Sequence, residues 1–564
     1  MKKFVFVIIT VLLSIQSYSQ EALKSIEEEY YNFLSLQGLI ERPTLGYRTL
    51  SDSAWNIDEE VQHIWKNNNL GKSYILFESE NQGQNWFSKG FFHGLKLKIF
   101  GPEWFNSYNT AAPYGQNDGA LWQGRGYNSS FTTGIRLEGY GFEATFKPQL
   151  SFSQNLDFEF VKPNYPEESN GVPTIYKDKA SLYGYYGINF IDAPQRFGDK
   201  SIFVFDWGDS EIRYSWNNFT FGWGTQTIWL GPAQINPIIH SNNAPSYPKI
   251  DIGLRKQELL LPWWDLYLGD LEFRCWWGKL SESDYFDNNE TNNNNLISGL
   301  SVNWALPWIF EGLSVGFNRT MLSKWNQINP YTLFEIYVPW MRNKAGQDES
   351  DQRASITLNY LIPSAGFEIY LEWARNDFQT DDVNFIRYPF HTQAWTVGGQ
   401  KTFHITKELY GKLLFELSFL ECSHDYMTTY PWSSTFYAHH KITQGYTNKG
   451  QWIGAGIGTG GNSQYLGIEL FYPQGKSLIY VYRYNPDLDY VWFNSKFANT
   501  YSNNMKTIIA VGVNSNIFVT KNFILFSQID FLATLSNNYQ KLTKQLDYSI
   551  KLGCKYNFLK SKQF

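Results

Sequence analysis

Between Asn117 and Gly126 the chain reads Asn-Asp-Gly-Ala-Leu-Trp-Gln-Gly-Arg-Gly. Asp118, Trp122, Gln123 and Arg125 fall within eight residues. Together they offer what a sugar ring needs: an aromatic face for C–H surfaces, and planar carboxylate, amide and guanidinium groups for hydroxyls. A second segment, from Trp223-Gly224 to Trp229-Leu230-Gly231-Pro232, leads into Ile238-Ile239-His240-Ser241-Asn242-Asn243-Ala244-Pro245. Its candidate contacts are Trp229, Asn242 and Asn243. Each segment also has a purely structural reading. The glycines of the first suit tight turns, and Trp122 suits an aromatic girdle. The prolines and asparagines of the second suit a rigid loop with Asx turns.

Catalytic signatures are sparse. Glu368 and Glu372 share one face of a strand, but four residues of strand separate them by roughly 13 Å. A retaining glycosidase holds its carboxylates about 5 Å apart. A pair drawn from two strands stays open, so a polysaccharide-acting hydrolase is a lesser alternative. No G-x-S-x-G elbow occurs, and no enzyme is expected. Cys275, Cys422 and Cys554 are too few for a disulfide framework, and the eight histidines are scattered, with His439-His440 reading as a loop pair. Neither metal nor cofactor is expected. The formal charge of −6 and the absence of Lys/Arg clusters argue against nucleic acid.

The elements that must position these residues are strands. Leu546, Tyr548, Ile550, Leu552, Cys554, Tyr556 and Phe558 alternate with Asp547, Ser549, Lys551, Gly553, Lys555 and Asn557, giving one greasy face and one wet face. The pattern recurs from about residue 91 to the C-terminus. In one hairpin Phe131, Thr133, Ile135 and Leu137 share a face, Gly139-Tyr140-Gly141 turns the chain, and Phe142, Ala144, Phe146 and Leu150 continue that face. If it meets lipid, Arg136, Glu138, Glu143 and Lys147 point inward, because Lys or Arg on the lipid face costs roughly 2–4 kcal/mol near the midplane. Glu368 and Glu372 join them as lumen charges. These groups either pair with one another or meet cargo.

The N-terminus reads as a secretory signal over residues 1–19, with Lys2 and Lys3, an apolar run from Phe4 to Ile15, and a small-x-small Ser17-Tyr18-Ser19. Its removal leaves the chain two charges more acidic. No later run approaches the ~20 apolar residues of a spanning helix. Residues 20–72 form a small helical module: one helix from Glu21 to Leu36, with Glu27-Glu28-Glu29 on its exposed side and Gly38 as its C-cap, and a second over Asp58 to Lys66. Residues 73–564 then form an all-β, transmembrane antiparallel barrel of about 18 strands, with unequal connections. Polar loops span 162–179, 287–295 and 341–352. The stretches 101–126 and 230–253 are long enough to be functional or folded into the lumen.

With the helical module, the Asn117–Gly126 run and the Trp229-Leu230-Gly231-Pro232 and Ser241-Asn242-Asn243-Ala244-Pro245 segments resemble the Wzi-like capsule assembly proteins of bacterial outer membranes. The resemblance is strongest from about residue 115 to 255. It implies an 18-stranded barrel with a periplasmic helical bundle, which binds capsular or other surface polysaccharide as a lectin and helps hold it at the cell surface. Outer-membrane lipid and polysaccharide-export machinery are the further implied partners, and a monomer is expected. Two departures stand out: Trp229-Leu230 replaces an expected double tryptophan, and Pro245 directly follows Ala244 where an arginine is expected. A passive porin is the main alternative, with lumen charges setting its selectivity. A soluble secreted β-protein is a third.

Overall fold

The structure is a computed structural model that describes residues 17–20, 23–58, 60–68, 70, 74–78, 94–161, 184, 190–261, 266–287, 289–337, 350–376, 390–421, 423, 436–487, 505–539 and 543–558. The apolar run expected to belong to a signal, Cys422, the expected 162–179 loop and most of 341–352 lie outside these residues.

Eighteen antiparallel strands close into a barrel. They are β1 (Gly94–Asn109), β2 (Gly126–Gly139), β3 (Phe142–Phe146 and Gln149–Ser153), β4 (Ile202–Asp206 and Glu211–Trp216), β5 (Phe219–Gly224) and β6 (Lys249–Leu261). Then come β7 (Leu266–Ser281), β8 (Asn294–Ala305), β9 (Leu313–Lys324), β10 (Ser350–Ile362), β11 (Phe367–Asn376) and β12 (Gln393–Thr406). The last are β13 (Leu409–Phe419), β14 (Asn462–Tyr472), β15 (Gly475–Asn485), β16 (Thr507–Thr520), β17 (Phe523–Leu535) and β18 (Lys544–Tyr556). Closure comes from β18 pairing with β1, from Ser549 opposite Asn109 to Lys555 opposite Glu103. β3 and β4 break at the same level. Pro148 has no N–H for the ladder, and Lys147 instead receives Asp209 N–H on its carbonyl at 3.1 Å and gives its own N–H to Ser210 Oγ at 3.0 Å.

The period-two reading holds in the register. Ile135 is 52% exposed and its neighbour Arg136 is 1% exposed. Leu546, Tyr548, Ile550 and Leu552 likewise face outward, while Ser549 is buried. Connections such as Tyr140-Gly141, Asn217-Asn218 and Lys521-Asn522 are short and gather at one end, the turn end; the described connecting stretches 110–125, 154–161, 190–201, 225–248 and 436–461 gather at the other, the loop end.

Helix α1 (Ile26–Leu36) starts where Ser25 Oγ accepts Glu28 N–H at 3.2 Å and ends before Gly38, at φ +71°. It lies inside the turn end. Tyr30 stacks on Trp65 at 3.9 Å and Phe33 on Phe471 of β14 at 4.2 Å. The acidic face is therefore not exposed as expected: Glu27 and Glu28 are buried. Lys555 lies 2.5 Å from Glu27, and Lys476 pairs with Glu29. The second helix, expected over Asp58 to Lys66, does not form. Its backbone makes three-residue turns, Val61 N–H to Asp58 O and Lys66 N–H to His63 O, and Trp65 gives its N–H to Tyr30 Oη at 3.2 Å. Short strands Tyr47–Arg48 and Ala54–Ile57 pair with Trp229–Leu230 and Ser17–Gln20.

Described loop and N-terminal residues enter the lumen. A buried apolar cluster joins Ile191, Leu230, Ile238 and Ile239 from the loops, Tyr47 from the N-terminal segment, and Trp276 from the wall of β7.

Candidate functional site

The inward charges hold these segments in place. Arg136 is bonded to Glu138 and Glu143 at 2.6 Å each and to Ser51 Oγ at 2.8 Å. Arg255 spans Glu143 and Asp52 at 2.8 Å each, and Arg274 spans Asp52 at 3.0 Å and Asp251 at 2.6 Å. Arg213 joins Asp251 to Glu211. Asp52, on the N-terminal segment, is thus clamped by two wall arginines, which hold its carboxyl well below the usual range against the opposing effect of burial. Lys147 pairs with Asp209 at 2.8 Å, and Glu368 with Arg42. Three wall carboxylates instead receive backbone amides. Glu272 accepts Gly46 N–H at 2.8 Å and Tyr47 N–H at 3.0 Å, Glu372 accepts Ile238 N–H at 2.9 Å, and Glu416 accepts those of Gln234, Ile235 and Asn236. A carboxylate with several backbone donors is a strong anchor for a buried loop, whose amides must find partners.

Anchored this way, the two segments singled out in the sequence meet at the loop end. Gly119 N–H donates to Asn242 O at 2.8 Å and Asn117 N–H to Asn243 Oδ1 at 3.0 Å. Gly119 and Gly126 adopt φ of +62° and +92°, so these glycines do serve turns. A third loop, 436–461, completes the assembly; the sequence marks His439-His440 in it as a loop pair but offers no site residue there. Ser241 donates to Ile453 O and Gly454 O, Asn243 Nδ2 to Trp452 O, and Gln451 Nε2 to Gly119 O. The alternating glycines of Gly454-Ala455-Gly456-Ile457-Gly458 were the available signal. A Cβ on Gly454 would sit 2.1 Å from Ile238 O, so only glycine lets the backbones approach this closely.

A cleft of about 270 Å³ opens beside these loops. Tyr114, Trp122, Phe158, Trp452 and Tyr484 line it with aromatic surface, and Asp118, Gln116, Asn243 and Gln451 supply planar polar groups. Burial raises the Asp118 carboxyl above its usual value, against the pull of Lys551 and of Gln123, whose amide reaches it at 3.0 Å. Gln123 is buried and braces Ser107. Trp122 packs edge-on against Phe197, and its Nε1 has no hydrogen-bond partner among the described residues. Arg125 turns away from the cleft to the carbonyls of Thr110 and Asp157. Asn242 gives its carbonyl to Gly119 and does not line the cleft. Trp229 is fully enclosed. Its Nε1 donates to Ala233 O, and Lys24 and Arg48 sit over its ring at 4.8 and 5.3 Å.

A family model described as capsule assembly protein Wzi matches residues 117–491. The chain belongs to the Wzi capsule assembly family. The matched range begins at Asn117 and takes in all three interlocked loops of this Wzi-family barrel. Among solved structures, the Wzi of Escherichia coli, described as an outer membrane protein involved in group 1 capsule assembly and a carbohydrate-binding β-barrel, aligns at a TM-score of 0.57. The identity is 12%, over 96% of this chain and 99% of that one. OccAB2 of Acinetobacter baumannii aligns at 0.39 with 11% identity, over 82% and 98%. A bacterial polysaccharide outer membrane secretin aligns at 0.32 with 8% identity, over 82% and 98%. At these identities the likeness to the Escherichia coli protein is one of fold. A search among curated proteins gives no match.

Proposed function

We propose that this Wzi-family protein is a non-catalytic outer-membrane barrel whose loop-end cleft binds capsular or other surface polysaccharide and retains it at the cell surface. One observation carries the reading: three loops from distant parts of the chain are locked together to present Trp122, Trp452, Asp118 and Asn243 in one cleft at the end of the barrel that bears the long connections. In outer-membrane barrels that end faces outward. The turn end, with α1 inside it, then faces the periplasm, where export machinery would meet it. A passive channel is less well supported, because loops and the N-terminal segment occupy the lumen. A hydrolase built on Glu368 and Glu372 is less well supported too, since Arg42 takes the first and Ile238 N–H the second.

Deletion of the gene is the test. Cell-bound polysaccharide should fall and appear in the medium, while uptake of small solutes stays unchanged. Unchanged retention with reduced permeability would favour the channel instead.

A further inference from the structure

The charge of the cleft bears on which polymer fits it. Its described lining holds four carboxylates, Asp118, Glu159, Asp487 and Asp547, and one ammonium, Lys506. Burial lowers the Lys506 ammonium below its usual value, with Asp487 opposing that shift, so Lys506 is a weakened cation in the cleft. Lys551 stands just behind the lining, its ammonium 5.4 Å from the Tyr114 ring centroid and attracting Asp118, so carboxylates outnumber ammoniums by four to two; the arginines nearby are committed elsewhere. Arg125 is bound to two backbone carbonyls, and Arg196 to Asp157 at 2.8 Å and Asp199 at 3.1 Å. Those two partners, with side chains 84% and 76% exposed, neutralise Arg196 and do not line the cleft.

We propose that the cleft selects an uncharged stretch of glycan and excludes polymers whose repeat carries carboxylate or phosphate at that position; this rests on the reading of the cleft as a polysaccharide site. Neutral sugar hydroxyls donate to carboxylates, and Asp118, with one amide on Oδ2, has acceptor capacity left for them. A uronate or phosphate would instead bring like charge into a half-enclosed site, where water and salt screen it poorly. The aromatic walls are indifferent to this choice, so discrimination comes from repulsion.

The test uses the full-length protein in detergent micelles, immobilised, and polysaccharide from its own cells separated by anion exchange into uncharged and acidic fractions. The uncharged fraction should be retained, with little change from low to high salt, and lost with Trp122→Ala. The double variant Asp118→Asn, Asp487→Asn should raise retention of the acidic fraction by about tenfold or more. Asp487 sits at φ 57°, where Asn is well tolerated, so this variant keeps the loop conformation. Salt-sensitive retention of the acidic fraction by the unmodified protein would overturn the charge selection and leave the polysaccharide reading standing. An acidic fraction indifferent to the double variant would do the same. Retention of neither fraction would overturn the polysaccharide reading itself.

Discussion

Glu416 gives the sharpest test of how the loops are held. It lies on the inner wall of β13, 1% exposed, and its carboxylate accepts the N–H groups of Gln234 at 2.6 Å, Ile235 at 3.1 Å and Asn236 at 2.7 Å, with Tyr370 Oη at 2.7 Å. Glu416→Ala leaves those backbone donors without an acceptor. Each buried, unsatisfied donor costs about 1–3 kcal/mol. Because neighbouring losses are not additive and water can enter the space, about 3–5 kcal/mol of loop docking should go. The ladders from β13 to β12 and β14 do not involve this side chain, so the barrel should persist, migrating as a folded species on unheated gels. Hydrogen exchange in micelles is the assay. Amides 234–236 should exchange roughly 150- to 4000-fold faster, and Glu416→Gln, which keeps one acceptor oxygen, should fall between. Unchanged exchange there would refute the anchoring role. It would leave Ile238 and Ile239, both fully buried, as what holds the loop.

Asp52→Ala strips Arg255 and Arg274 of a shared partner and should cost about 3–5 kcal/mol; protease should then cut within residues 23–58 while the barrel stays intact. Burial, with Lys249 adding to it, pushes the His240 imidazole down to about 3 from an ordinary 6.5. Its neutral form therefore gives full stability above pH 6.5, and that stability is lost as pH falls from 6.5 towards 3. Near-UV circular dichroism should show the loops loosening across that window, with a flatter profile for His240→Gln. Ile550→Lys places a charge on the outward face and should cost about 2–4 kcal/mol of folding into lipid vesicles. Gly454→Val should separate the third loop from Ile238, abolishing polysaccharide binding without loss of the folded barrel.

What could be read from the sequence follows the range of the interactions concerned. Alternation is local, so it assigns Arg136 and Glu143 inward and Ile135 and Phe142 outward without tertiary information. The same alternation shows that these charges share a lumen but not which ion pairs they form, because Asp52 reaches Arg274 across 222 positions of chain. Helical spacing places Glu27 and Glu28 on one face of α1, yet nothing local shows that Lys555 waits there from the last strand. Trp65 fits a helical pattern, but its N–H takes the Tyr30 hydroxyl. Composition alone also could not separate Trp122, at the cleft, from Trp229, which is a buried platform for Lys24 and Arg48. The closeness of Asn117 to Asn243 rests on loop docking over 126 positions, which motif content does not reveal.

The most direct measurement is the binding of purified protein to polysaccharide from its own cells, compared with a Trp122→Ala, Trp452→Ala variant that keeps the folded barrel. The account predicts saturable binding by the unmodified protein and a loss of about tenfold or more in the variant. Equal binding by the two proteins, or none by either, would contradict the assignment of the loop-end cleft as the polysaccharide site.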